Sequence, residues 1–414
     1  MAEMEIVSIE VIKPSKPTPP NLKTHQFSIL DQYMTPAHVP VLFFYSPVSP
    51  PLLPANYNIN HHLAILKTSL SQTLTLFYPL AGRIKDEYHI DCNDDGVKFV
   101  HARVRHLSLS QALSPLKLEG MTQFFPRDQT EEGEVLGVQV TFFECGGVAV
   151  GVYLSHKIAD AQSICTFALG WASTAKFGSA VLQPRFHLAS VFPPMKLPPS
   201  LEGYIEAPAE NCVDRVFRFE ASKIAELKAK AKAKANDEDE DPSKMMAVSA
   251  FLWSVFAAMG CGKIKGGRHC MLYMPVFLSG RVPDLHQHTM GNLAVTPLTP
   301  PMAPPIDLSA MPELVEALRD LVRKVDEGGI VKRRDGGELV KMMEVLIEAS
   351  NKAYDSEGEL GLYEASSWEF PFYDADFGWG RPAWVGIVNG AYPQCCNVHA
   401  YKIRRRNRRN NYVE

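Results

Sequence analysis

The chain has 414 residues, 46% hydrophobic and 21% charged, enough to bury one large core or two medium ones in a soluble globular protein. Forty-two Lys and Arg against 46 Asp and Glu leave a net charge of −4, so no overall basic field exists to hold nucleic acid or an anionic membrane. The opening MAEMEIVSIEVIKPS lacks the apolar core of a secretory signal, and no stretch is long and apolar enough to span a bilayer. Eight cysteines without a C-x-x-C pair suggest neither a disulfide framework nor a zinc site, so the expectation is a reduced, cytoplasmic chain without a metal.

In chain order, VLFFY (residues 41–45) reads as a strand, and Leu63, Leu66, Leu70, Leu74 and Phe77 recur at helical spacing until Tyr78-Pro79 stops the turn. After Gly146-Gly147, residues 148–154 form a near-continuous apolar run, the pattern of a buried strand, and Ile164, Phe167, Ala168 and Trp171 give the stripe of a following helix. Residues 185–212 contain the Pro-rich FPPMKLPPS and APAE and read as an extended crossover. Beyond it, RVFRFE (215–220) alternates like a strand, and the acidic run 237–241 reads as a solvated loop. A helix is expected from near Pro242-Ser243, and another carries Leu314, Leu318, Leu321 and Val325 on one face. The expected organisation is α/β with mixed sheets: an N-terminal half over 1–184, the crossover 185–212, and a C-terminal half over 213–414.

The chain has no G-x-S-x-G elbow, no G-x-x-x-x-G-K-[ST] loop, no G-x-G-x-x-G and no H-E-x-x-H, which removes support for nucleotide hydrolysis, dinucleotide redox chemistry and zinc proteolysis. What remains is His156-Lys157-Ile158-Ala159-Asp160 directly after the 148–154 strand. A strand end can expose an imidazole to a cleft while packing holds its backbone, as a general base requires. On the motif alone, a satisfied junction histidine with Asp160 capping the next helix stands beside that reading. The second dense segment, SSWEFPFYDADFGWGRP (366–382), reads as a tight turn in which Gly378 and Gly380 adopt angles closed to other residues while Phe377 and Trp379 pack.

Together, HKIAD in the middle and DFGWG near the end make the chain resemble the BAHD acyltransferases, plant enzymes that move acyl groups from coenzyme A to alcohols or amines. The resemblance also covers FSILDQ (27–32), LFYPLAGRI (76–84), IDCNDDGVKF (90–99), VSAFLW (248–253) and MGN (290–292), in the family's order. The wording of FSILDQ and SSWEFPFYDADFGWG is most like the branch that acetylates alkaloids. The resemblance implies two chloramphenicol acetyltransferase-like halves, of the CoA-dependent acyltransferase type, with a tunnel between them and His156 near its middle. It implies acyl-CoA, acetyl-CoA in this branch, as co-substrate, with no permanently bound cofactor. The implied partner is a small-molecule acceptor, an alkaloid or terpenoid hydroxyl, met by a cytoplasmic monomer without nucleic acid or membrane. N-acylation with the same base, and a catalytically impaired relative that binds small ligands, are the alternatives.

Carried over residue by residue, the resemblance makes His156 the base and the Trp368 indole N–H, supported by Ser366, the donor to the oxyanion. It turns Asp160 away from the tunnel toward an arginine of the second half. The usual partner position falls on Ser279, which leaves Arg281 as the expected substitute. Asp376, Gly378 and Gly380 would shape the donor side, and the helix beginning near Ser243 would meet coenzyme A phosphates with its N-terminus. The end departs from the family pattern: residues 401–414 carry six cations and no acid before Glu414, and are expected to lack ordered structure.

Overall fold

A computed structural model describes residues 3–35, 37–47, 59–113, 120–126, 133–201, 217, 219–232, 241–261, 269–303, 306, 308–354, 360–367, 370–387, 395–400, 405–406 and 412–413. Up to the crossover the principal elements are β1 (Glu3–Ile12), α1 (Ile29–Gln32), β2 (His38–Tyr45), α2 (Ile59–Leu76), β3 (Val97–Arg105), β4 (Leu136–Phe143), β5 (Val148–Ser155) and α3 (Ala161–Phe177). Every residue of β4 and β5 is buried. Both faces of these strands are covered, which is why residues 148–154 show no polar alternation. One face, with Val41, Phe43, Val150 and Val152, shares a core with the helical stripes Leu63, Leu66, Leu70 and Leu74 of α2 and Ile164, Phe167, Ala168 and Trp171 of α3. Burying one such large side chain contributes roughly 1.5–3 kcal/mol. The other face packs Leu42, Phe44 and Ala149 against Phe124, Phe143 and Trp384.

Beyond the crossover come α4 (Lys244–Cys261), β6 (His269–Tyr273), β7 (Val276–Phe277), β8 (Ala294–Val295), α5 (Met311–Glu327), α6 (Gly336–Tyr354), β9 (Leu360–Ser367), β10 (Trp384–Ile387) and β11 (Cys395–Ala400). The large sheet runs β1-β3-β4-β5-β2-β10; β3 and β4 are parallel and the other neighbours antiparallel. Its last strand comes from late in the chain, with Trp384 opposite Phe44 and Ile387 opposite Val41. A second sheet places β9 between β6 and β11, parallel to both. Leu314, Leu318 and Leu321 of α5 are buried in the second half's own core with Trp253 of α4.

Two expectations about local structure change. Phe217, Phe219 and Glu220 of RVFRFE are not in a strand: Phe217 is 68% exposed, Phe219 packs against Phe251, and Glu220 is the N-cap of a helix, Ala221–Ala231. In the basic tail, Arg405-Arg406 pairs antiparallel with Tyr412-Val413, since a ladder needs only backbone groups. The acidic residues 237–240 lie outside the described residues. Among the described residues no helix is long and apolar enough to cross a membrane.

Candidate active site

β5 ends at Ser155 and α3 begins at Ala161, so HKIAD is the turn between a strand buried at every position and a helix packed over it. Asp160 is the N-cap of α3: its Oδ1 accepts the Ser163 N–H at 2.9 Å, the usual way an aspartate satisfies the first turn of a helix. The His156 N–H donates to the Ala37 carbonyl at 2.8 Å, fixing the turn to the segment that leads into β2. The Lys157 ammonium donates to the Gln32 carbonyl at 2.7 Å, a second tie to the same segment.

The turn is stitched to the second half through residues 291–293. Asp160 N–H donates to the Gly291 carbonyl at 3.3 Å, and Leu293 N–H donates to Asp160 Oδ2 at 2.7 Å. The Ser163 hydroxyl accepts from Gly291 N–H at 3.0 Å and donates to its carbonyl at 2.8 Å. Gly291 has φ +130°, and a Cβ there would lie 2.5 Å from Leu188 Cδ2, so only glycine brings this segment so close.

Asn292 then fixes the imidazole. Its Nδ2 donates to Asp31 Oδ1 at 2.9 Å and to the His156 carbonyl at 2.7 Å, while its Oδ1 lies 3.0 Å from His156 Nδ1. A carboxylate oxygen and a carbonyl can only accept, so the amide cannot be flipped, and its oxygen must face a donor. His156 therefore carries its proton on Nδ1, and Nε2 is the basic nitrogen. Asp31 is buried in α1, where it completes a reciprocal cap with Ser28: its Oδ2 accepts the Ser28 N–H at 2.9 Å and hydroxyl at 2.6 Å. Oδ1 also takes the Asn292 backbone N–H at 2.8 Å. Burial pushes the Asp31 carboxyl upward despite these bonds. Burial likewise pushes Asp160 up to about 6, opposed by the Ser163 and Leu293 N–H groups and reinforced by nearby Asp31.

The expected pairing of Asp160 with Arg281 is corrected. Arg281 Nε donates to Asp326 Oδ1 at 2.7 Å and its Nη1 to the Phe277 carbonyl at 3.0 Å. Asp160 is satisfied by backbone N–H groups instead, which a charge-partner argument overlooks. The hydroxyl of Ser279, at the usual arginine position, is buried without a hydrogen-bond partner among the described residues.

Asp376 organises its own loop: Oδ1 accepts from Gly378 and Gly380 N–H, both at 2.9 Å, and Oδ2 from Lys176 of α3 at 2.7 Å. Gly378 and Gly380 have φ +105° and +107°, as the turn required. Burial alone would raise this carboxyl, but Lys176 and the glycine N–H groups outweigh it and hold it below the usual value. Phe377 packs edge-on to Trp171 at 4.8 Å and is stacked on Trp379 at 5.5 Å. Ser243 caps α4, its Oγ accepting from Met246 N–H at 3.1 Å. Trp368 lies outside the described residues, as does the side chain of Ser366 on β9. Asp31 and Asn292 were missed as site residues, although both sit inside blocks that carry the resemblance. The only local signal was Ser28 three residues before Asp31, a capping-box spacing.

Two mixed α/β halves, with a histidine at a strand end held from both, define the architecture of a coenzyme-A-dependent acyltransferase. The sequence profile of the Transferase family matches residues 2–394, and the chain belongs to that family, the BAHD acyltransferases. It is 36% identical over 394 residues to stemmadenine O-acetyltransferase of Catharanthus roseus, covering 92% of this chain and 87% of that protein. It is 37% identical over 392 residues to vinorine synthase of Rauvolfia serpentina, covering 92% of this chain and 87% of that one. With limonoid 1-O-acetyltransferase of Citrus sinensis it shares 33% over 406 residues, 93% of this chain and 89% of that one. The crystal structure of vinorine synthase superposes with a TM-score of 0.75 and 32% identity, covering 96% of this chain and 92% of that one.

Proposed function

We propose that the protein transfers an acetyl group from acetyl-CoA to a hydroxyl of a plant specialised metabolite, an alkaloid or a terpenoid, with His156 as general base. The observation that carries this reading is the relay from Asp31 through Asn292 to His156 Nδ1, which leaves Nε2 as the base. The acceptor O–H proton moves to Nε2 as the oxygen attacks the thioester carbonyl. The Asn292 oxygen holds the Nδ1–H of the imidazolium that forms, with buried Asp31 behind it. When the carbon–sulfur bond breaks, Nε2 returns the proton to the departing thiolate, so the base is regenerated within one turnover. In this reading the Trp368 indole N–H, with Ser366 two residues before it, donates to the oxyanion. The first turn of α4, capped by Ser243, receives the phosphates of coenzyme A. Asp160 and Gly291 hold the turn that presents His156, and Asp376, Gly378 and Gly380 hold the loop on the donor side.

Sequence and structural likeness to acetyltransferases of alkaloids and limonoids supports the substrate class. The same reading makes the protein a cytoplasmic monomer that works on small molecules. Purified protein given acetyl-CoA and a panel of polycyclic alcohols should release free thiol in step with acetylated product, and His156→Ala should not. Thiol release at the wild-type rate in His156→Ala would remove the base assignment.

A further inference from the structure

HKIAD contains one charged side chain to which the reaction gives no part. Lys157 is half-buried between the catalytic turn and α1, its ammonium donating to the Gln32 carbonyl at 2.7 Å. Gln32 is the last residue of α1, so the cation sits where that helix leaves carbonyls without partners. Asp31, which anchors Asn292, immediately precedes it. Asp31 is 1% exposed, and each of its oxygens faces two donors: the Asn292 N–H and Nδ2 at Oδ1, the Ser28 N–H and hydroxyl at Oδ2. That is the pattern of an ionised carboxylate. A proton on Oδ2 would displace the Ser28 hydroxyl hydrogen, and one on Oδ1 would meet only N–H groups.

A buried anion held only by neutral donors is costly, and burial does push this carboxyl upward. Among the described residues no cation touches Asp31 directly. Lys157 is the cation whose field reaches it: burial pulls the titration of the ammonium down, while Glu87 and Asp31 oppose that. Glu87 is exposed and already solvated, so the buried carboxylate is the one that requires the charge. The other titratable groups packed around the relay cannot substitute. Asp160 at the head of α3 carries the same sign when ionised, and Tyr33 after α1 is kept protonated by burial, its titration pushed up to about 12. His38, paired with Ser155 at the start of β2, is lowered by burial, which favours its neutral form. Residues 291–293 bring no ionisable side chain.

Resting on the acyltransferase reading, we propose that Lys157 is a positioning residue for the general base: its ammonium is the counter-charge that keeps Asp31 ionised, so that Asn292 stays oriented with its oxygen on His156 Nδ1. The ammonium remains on the Gln32 carbonyl, which leaves the carboxylate all four of its hydrogen bonds.

Carbon-13 titration of the Asp31 carboxyl in the full-length protein, assigned through its own Cα and Cβ, tests this without an acceptor. In wild type the carboxyl should be ionised at pH 7. In Lys157→Met its titration should move up by about 1 unit or more, and Lys157→Arg, which keeps a permanent charge, should restore it. Lys157→Gln carries the same test should the methionine variant not fold. A kinetic arm uses the polycyclic alcohol that gives the fastest thiol release from acetyl-CoA. Without the ammonium a proton is easier to add to Asp31 and to His156 alike. The acidic limb of kcat/KM in Lys157→Met should therefore shift up by about 1 unit, roughly a tenfold loss on that limb that recovers at high pH. A role confined to bonding the Gln32 carbonyl would lower the rate equally at every pH, and that result overturns the proposal. So does a wild-type Asp31 still protonated at pH 7, or an unmoved titration in a folded neutral variant. Absence of thiol release with every alcohol overturns the acyltransferase reading, while the carboxyl titration still decides the role of Lys157.

Discussion

The turn around Asp160 and the loop around Asp376 use the same local device with opposite electrostatics. Each carboxylate gathers two backbone N–H groups: Ser163 and Leu293 at Asp160, Gly378 and Gly380 at Asp376. Asp376 also has the Lys176 ammonium, and its titration is held below the usual value. Asp160 has no cation partner among the described residues, is 6% exposed, and is pushed up to about 6. Asp376 ties a half-exposed loop onto the end of α3, where a salt bridge costs little desolvation. Asp160 sits where α3, the His156 turn and residues 291–293 meet, and backbone dipoles replace the cation there. The centre is thus held by directional hydrogen bonds, and the periphery by charge and aromatic packing.

The largest effect expected from this contrast falls on His156. His156→Ala should lower turnover by about 10²- to 10⁴-fold with little change in thermal midpoint, since a partly exposed imidazole contributes chemistry more than packing. Next comes Asn292→Ala, which leaves the ring in place without its Nδ1 acceptor. Turnover should fall about 10- to 10²-fold, with the acidic limb of the pH profile altered, because the base must be unprotonated to act and its imidazolium would lose the acceptor at Nδ1. An Asn292→Ala protein with wild-type kcat and an unshifted profile would show that the relay does not orient the base.

The sequence made the two ends of this contrast visible and hid what joins them. HKIAD and DFGWG are contiguous, so residue type and spacing showed that a histidine lies at a strand end and that glycines permit a tight turn. Asp31 and Asn292 are 261 positions apart, and no periodicity links two residues that meet only after both halves have packed. The partner of Asp160 was misjudged for a related reason. Leu293 contributes through its backbone N–H, which any residue but proline offers, so its identity carries no signal. The mixed α/β class was legible because the apolar stripes of α2, α3 and α5 keep helical spacing. The return of β10 to the first sheet was not, since four residues carry no information about which edge they join.

The comparison sharpens further at Asp160. Asp160→Ala removes the α3 cap, worth about 1 kcal/mol, and leaves the buried Leu293 N–H unpaired, at a further roughly 1–3 kcal/mol. That total, about 2–4 kcal/mol, lies on average below the roughly 3–5 kcal/mol of orphaning a buried ion-pair partner. Asp160→Asn keeps one acceptor and should fall between wild type and alanine. Because the folded carboxyl is raised toward 6 from an unfolded value of 3.8, its stabilising contribution is fully present below about pH 4 and is lost as pH rises through about 6. The stability advantage of wild type over Asp160→Asn should therefore shrink from pH 4 to pH 7, by up to about 3 kcal/mol. Denaturant unfolding of both proteins across this range reads it directly. A gap that widens with pH would mean that a cation serves Asp160 after all, and the two regions would then be alike.

The smallest effect is expected at Lys176. Its ammonium is 41% exposed and its partner Asp376 19%, so the pair is screened and contributes about 0–1 kcal/mol. With Lys176→Met, Asp376 still accepts from the Gly378 and Gly380 N–H groups, and Phe377 stays against Trp171 and Trp379. The loop should keep its shape, with stability within about 1 kcal/mol and kcat within about twofold. The Asp376 carboxyl should titrate nearer its ordinary value, so the small stability difference, present above the usual carboxylate range, should vanish as pH falls below it. Asp376→Ala removes the N–H acceptors as well and should cost more than Lys176→Met. If Lys176→Met instead lowered turnover tenfold while the fold stayed intact, the charge at the rim would be coupled to the chemistry at the centre, and the separation drawn between the two regions would fail.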